Sequence, residues 1–210
     1  MNGRSKPSRT RAPEVIHGDA RNCSDYLVGR SFDWIVFSPP YPNNIDYTEV
    51  YKTETWALGL FEDPPAMKAQ RLSTLRSHTS IYFPDKYWYE STEFRDDVEA
   101  LLGPVLSAIP EDRYERGRRQ LVKGYADDML QVFSTLKEVA TASTRMAVTV
   151  GNSLHGNGSS RVIIASDLIL CRLAEIAGWE IGEIRIARQL QRRSYVSPFL
   201  RESVLLMHAK

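Results

Sequence analysis

The sequence predicts an α/β fold organised on an open, doubly wound sheet. Two short apolar runs, 33–37 and 145–150, read as buried strands, the first of them covered on both faces. Two amphipathic stretches, 120–140 and 163–177, alternate with further strand-like runs at 179–187 and 203–208. Strands interleaved with helices of that length build a sheet by crossover connections rather than a sandwich or a bundle.

Taken in order, residues 1–13 are basic, lack an apolar core and read as a disordered arm rather than a secretory signal. Residues 14–18 form a short strand that ends at Gly18-Asp19-Ala20, and 22–28 suit a short helix capped by Asn22 or Ser24. The run Asp33-Trp34-Ile35-Val36-Phe37 then meets Ser38-Pro39-Pro40-Tyr41, where two prolines without N–H groups stop the ladder. Ser38 and Tyr41 are thereby fixed in a stiff turn at a strand's carboxyl end, where open α/β sheets place their ligands. Residues 47–60 have helical spacing, with Val50, Trp56 and Leu60 on one face, ended by Gly59 and Pro64-Pro65.

Residues 62–118 change character: charged, aromatic and proline-broken, they predict a mainly helical insert with one helix at 97–106. Its Arg71, Arg76, His78, Tyr82, Trp88 and Tyr89 suit either target recognition or a partner contact. In 120–140 the residues Leu121, Tyr125, Met129, Val132, Phe133 and Leu136 recur at helical spacing and read as core. A Gly-, Asn- and Ser-rich loop follows the 145–150 strand. The chain thus divides into an arm (1–13), a main unit (14–61 and 119–210) and the insert (62–118).

The 210 residues, 42% apolar and 25% charged, are ordinary for a globular chain. A net charge of +1 leaves any nucleic-acid surface to local clusters. Two cysteines exclude a disulfide framework and fit a reducing cytoplasm. No apolar run reaches the length of a membrane span.

Ser38-Pro39-Pro40-Tyr41 resembles the strand-end signature of the amino-methylating DNA methyltransferases, whose serine form is typical of N4-cytosine enzymes and whose aspartate form is commoner among N6-adenine ones. The resemblance extends to Val15-Ile16-His17-Gly18-Asp19-Ala20-Arg21, to Asn43-Asn44-Ile45-Asp46-Tyr47, to Val150-Gly151-Asn152-Ser153 and to Arg201-Glu202-Ser203-Val204-Leu205-Leu206. It implies S-adenosyl-L-methionine as methyl donor and double-stranded DNA as substrate. It also implies Ser38, Pro39, Pro40 and Tyr41 as the catalytic turn, with the Ser38 hydroxyl and the Pro39 carbonyl accepting from the target amine and Tyr41 stacking on the extruded base. Asp19, Ala20, Ser38 and Asn152 are the implied cofactor contacts, and Asn43, Asn44, Asp46 and Tyr47 line the base pocket. Asp19 has a competing role as a helix cap, and Asn44 and Asp46 as turn and cap residues.

The same resemblance exposes a gap. Such enzymes bind their cofactor with a glycine-rich Phe-x-Gly-x-Gly turn after the first strand, where a Cβ would block the methionine moiety. This chain lacks that turn; Gly156-Asn157-Gly158 follows the wrong strand. In the family's sheet order 3-2-1-4-5-7-6, residues 14–18 correspond to strand 3 and 33–38 to strand 4. The expected fold is therefore a class I, Rossmann-like methyltransferase sheet missing strands 1 and 2, which a second polypeptide carrying the glycine-rich motif supplies. Direct closure of the strand pair is the alternative. For DNA phosphates, Arg185, Arg188, Arg192, Arg193 and Arg201 fall in one stretch without an internal acid, and Arg113, Arg116, Arg118, Arg119 and Lys123 form a second cluster diluted by acids. Neither cysteine follows a proline, which argues against carbon-5 methylation through a thiolate.

Overall fold

The structure is a computed structural model that describes residues 12–43, 45–156, 161–191 and 197–210. After α1 (Cys23–Tyr26) comes strand β1 (Trp34–Phe37), then α2 (Tyr47–Val50), α3 (Lys52–Ala57), α4 (Pro64–Ser73), α5 (Arg95–Ser107) and α6 (Glu115–Glu138). The second half runs β2 (Arg145–Gly151), β3 (Ser153–His155), β4 (Val162–Ile164), α7 (Ser166–Ile176), β5 (Trp179–Gln189) and β6 (Arg201–Ala209). The main sheet has the order β1-β2-β6-β5, with β1 parallel to β2 and β6 antiparallel to both its neighbours. β3 and β4 form a separate antiparallel pair.

Helix α6 is the spine because its apolar residues fall on every face that meets another element. Met129, Leu130 and Phe133 are fully buried, each such side chain contributing roughly 1.5–3 kcal/mol. They pack with Met146, Val148 and Val150 of β2, with Leu205 and Met207 of β6 and with Trp179, whose indole N–H donates to the Phe133 carbonyl at 3.0 Å. Tyr89, Val98 and Leu102, from the 62–118 segment, enter the same core.

Alternation in β1, β2 and β6 puts one face of the sheet into that core and leaves the other bare. Register places Trp34 beside Arg145 and His208, and Val36 beside Ala147 and Leu206. On this outer face Trp34 is 54% and Val36 72% exposed. The expectation of a first strand buried on both faces is thus corrected: β1 is an edge strand, paired only with β2 among the described residues. The apolar run is the same in either case, and only long-range pairing distinguishes the two.

Residues 14–18 form no strand, and Val15 is 95% exposed. A strand needs a hydrogen-bonded neighbour, and β1 and 14–18 do not pair, so the strand pair does not close on itself. The helix expected at 47–60 breaks into α2 and α3, with Val50 and Leu60 57% and 65% exposed. Without a core to bury its apolar stripe, nothing sustains a longer helix. Pro64-Pro65, read as a terminator, instead opens α4: Asp63 caps it through Ala66 N at 2.8 Å, and proline is well placed in a first turn. Residues 163–164 belong to β4, so the last helix starts at Ser166. No helix among the described residues is long and apolar enough to cross a membrane.

Candidate functional site

β1 delivers Ser38 and Tyr41 to the carboxyl rim of the sheet. Ser38 is exposed and its hydroxyl donates to the Thr149 carbonyl of β2 at 3.0 Å, 3.5 Å from the Tyr41 hydroxyl. With its one proton spent on Thr149, Ser38 Oγ turns lone pairs outward, an acceptor where an amine would arrive. Pro39 and Pro42 are buried and anchor the turn; Pro40 and Tyr41 are half-buried. The Tyr41 ring lies over Gly151, where a Cβ would come within 2.8 Å of it. Burial is the main reason its hydroxyl is held above the usual tyrosine range. It presents a neutral aromatic face.

The residues after the turn are organised by Asp46. It is 6% exposed and caps α2 through Thr48 N at 3.0 Å and Glu49 N at 3.3 Å. Arg71 of α4 pairs with it at 2.8 Å, and the Ser80 hydroxyl donates to it at 2.8 Å. His78 Nδ1 meets Ser80 Oγ at 2.8 Å, and its Nε2 lies 3.7 Å from Asp46. Burial would raise the Asp46 pKa, but the Ser80 hydrogen bond, His78 and Arg71 outweigh it and hold the carboxylate below its ordinary range. Burial lowers that of His78, against the pull of the Asp46 carboxylate. Asp46 therefore joins the residues that follow the Ser-Pro-Pro-Tyr turn to the 62–118 segment. Asn43 makes a turn, with its side chain accepting from Ile45 N at 3.1 Å. Tyr47 stays 42% exposed at the start of α2, and Asn44 lies outside the described residues.

Asp19 sits at a second site. Its carboxylate caps the turn starting at Ala20 and chelates Arg21, with a closest approach of 2.6 Å. That hydrogen bond, against the smaller effect of burial, lowers its pKa. Arg21 is itself held by Asp128 at 3.2 Å and by the Ser73 carbonyl at 2.6 Å. A cleft of about 430 Å³ opens here, lined by Asp19, Asn22, Leu72, Phe83 and Lys86 among others. Ala20 is exposed beside it. Asn152 is instead spent inside the frame: its amide donates to Phe199 O at 2.9 Å and accepts from Asp167 N at 3.0 Å.

The arginines are mostly answered by acids. Arg188 pairs with Glu202 across the β5–β6 ladder at 2.6 Å, Arg185 with Glu183 at 2.8 Å, and Arg201 with buried Asp167 at 2.8 Å. Glu183 and Glu202 flank the stretch rather than interrupt it, and Asp167 lies 34 residues before Arg201, which is why the sequence hid them. Arg192 and Arg193 lie outside the described residues. Arg118 is buried against Asp112 at 2.9 Å, Arg119 pairs with Glu115 at 2.7 Å, and Lys123 approaches Glu90 at 3.4 Å.

The chain is similar to type II methyltransferases. It is 25% identical over 160 residues to the type II methyltransferase M.AvaI of Nostoc sp. (strain PCC 7120 / SAG 25.82 / UTEX 2576), covering 74% of this chain and 32% of that protein. The M.AvaI of Anabaena variabilis gives the same figures. M.BsoBI of Geobacillus stearothermophilus is 25% identical over 191 residues, 84% of this chain and 37% of that protein. The chain therefore spans about a third of the length of these curated relatives. No family model matches it, and no solved structure matches it significantly.

Sequence reasoning missed several residues of the site. Ser80, and the seat that Gly151 gives the Tyr41 ring, arise from contacts far apart in the chain. Tyr125, core by its spacing, is 2% exposed, yet its hydroxyl has no partner among the described residues, and its pKa is raised by burial and then by Tyr41 and Tyr47. A tyrosine in an apolar stripe is the signal, because its hydroxyl demands a partner that a phenylalanine would not.

Proposed function

We propose that this chain is the catalytic-motif half of an S-adenosylmethionine-dependent DNA methyltransferase, transferring methyl to the exocyclic N4 of a flipped cytosine, with the glycine-rich cofactor turn supplied by a second polypeptide. The observation that supports it most is the Ser38-Pro39-Pro40-Tyr41 turn at the end of β1, with Ser38 Oγ tied to Thr149 and Tyr41 seated on Gly151.

The cofactor supplies an electrophilic methyl group; the chain's part is placement and charge relief. As the amine nitrogen forms its new bond it becomes positive, and acceptors aimed at its N–H groups stabilise that charge. Ser38 Oγ and the Pro39 carbonyl are such acceptors, and prolines on either side fix their direction. Tyr41 offers the face on which an extruded base stacks. The residues present fit one end of the donor: the anionic Asp19 beside its cleft is an acceptor for an amino group. They do not supply a glycine cradle, since no Gly-x-Gly turn follows a first strand in this sequence.

The partner accounts for the open side of the sheet. Edge strands are normally blunted by charge, proline or a cover, and β1 instead leaves Val36 and Trp34 exposed. A cleft of about 620 Å³ on this side is lined by Trp34, Arg145, Leu206 and His208 among others. Two added strands and a covering helix would bury all of it. Val36→Lys is expected to leave the isolated chain as stable as wild type, because the side chain is already in water. It should cut assembly with the co-expressed adjacent reading frame, and labelled-methyl transfer with it, by at least about 100-fold, since a lysine buried unpaired costs several kcal/mol. Full transfer by the Val36→Lys chain, or by the wild-type chain alone, contradicts the split-site reading.

A further inference from the structure

The Ser-Pro-Pro-Tyr turn cannot fix itself. Residues 39, 40 and 42 are prolines, so between Ser38 and Asn43 only Tyr41 carries an N–H. Within the turn, Asn43 N donates to the Tyr41 carbonyl at 2.7 Å. Its orientation must come from donors outside. At the start, Ser38 is tied to Thr149. At the end, two side chains of β3 converge on a single atom: Ser153 Oγ donates to the Pro42 carbonyl at 2.7 Å, and His155 Nε2 lies 3.0 Å from the same oxygen and 2.9 Å from Ser153 Oγ. A carbonyl only accepts, so the geometry puts the imidazole proton on Nε2. Ser153 and His155 are 5% and 3% exposed, and water does not compete for these bonds. The strand that carries them continues from Gly151, the residue on which the Tyr41 ring rests.

We propose that Ser153 and His155 are positioning residues for methyl transfer: by gripping the Pro42 carbonyl they set the direction of the Tyr41 ring, and hence of the bound base, without touching substrate. This deepens the methyltransferase reading and rests on it. A donor at position 155 is required, and its charge is not.

The test measures kcat and KM for DNA in the reconstituted assembly. His155→Phe keeps the ring shape without the N–H and should lower kcat about 10–100-fold with KM for DNA unchanged, the size expected of a misplacement near 1 Å. His155→Gln, which restores an N–H donor, should recover most of the loss; Ser153→Ala should fall and Ser153→Thr recover in parallel. A buried group that only held the fold together would lower the melting temperature without that pattern of rescue. Wild-type kcat in His155→Phe, or equal losses in His155→Gln and His155→Phe at equal melting temperature, overturns the proposal. Should His155→Phe not fold, the Ser153 pair decides by the same criterion. Ser38→Ala runs alongside: activity retained there overturns the methyltransferase reading and this role together, whereas an inactive Ser38→Ala beside a fully active His155→Phe overturns the clamp alone.

Discussion

Ser38→Ala is expected to lower methyl transfer by the reconstituted assembly about 10²–10³-fold, the effect of removing one preorganised group aimed at transition-state charge. The substitution is small and exposed, and it removes one hydrogen bond, to Thr149 O. Folding and DNA retention should therefore survive. Tyr41→Ala should behave similarly for a different reason: it removes the stacking face, worth about 1–3 kcal/mol per base, and opens a void over Gly151. Transfer followed with labelled donor, beside a DNA-binding titration, separates the roles. If both variants bind and methylate like wild type, the turn is not the reacting centre and the chain serves as a scaffold.

The second large effect is on stability. Arg76 is 9% exposed and contacts Asp127 at 2.5 Å and Asp128 at 2.6 Å, while its own backbone N–H donates to Asp128 at 2.7 Å. Both carboxylates have further partners, Asp127 from Tyr89 N at 2.9 Å and Asp128 from Arg21 at 3.2 Å. Gly124 makes room, since a Cβ there would come within 2.8 Å of the Arg76 side chain. A mid-helix glycine costs about 1 kcal/mol, and this contact is its return. Arg76→Met leaves two adjacent carboxylates buried without their main counter-charge. The expected loss is about 3–5 kcal/mol, or a fall in melting temperature of roughly 6–20 °C at this size. Adding Asp128→Asn should recover part of it. A fall below about 3 °C would mean that water reaches the pair.

Arg76 ties the 62–118 segment to α6, and Asp46 ties the same segment to the residues after the turn. Asp46 collects Arg71, Ser80 and His78 from that segment while capping the helix that bears Tyr47. Whatever the segment contacts is therefore mechanically close to the turn.

The parts legible in advance were those specified locally. The run from Trp34 to Phe37 before two prolines marks a strand and its stop, and the spacing of Leu121, Tyr125, Met129 and Phe133 marks α6, because both periods are written into neighbouring residues. What pairs with what is not local. Nothing in Trp34 or Val36 announces an edge, and the 14–18 run has strand composition but no neighbour to pair with. Arg188 looked unanswered until the β5–β6 register set Glu202 opposite it. Pro64-Pro65 fits a helix end and a helix start alike, and only the cap from Asp63 to Ala66 N distinguishes them. The clamp on Pro42 was invisible for a simpler reason: Ser153 and His155 lie 111 and 113 residues away along the chain.

The most direct measurement is the identity of the modified nucleoside. Duplex DNA treated with labelled donor and the two-chain assembly is digested to nucleosides and resolved by mass. The account predicts N4-methyldeoxycytidine, formed with both chains present and with neither alone. N6-methyldeoxyadenosine would contradict the cytosine assignment of Ser38, and an unmodified duplex in the presence of both chains would contradict the catalytic reading of the turn.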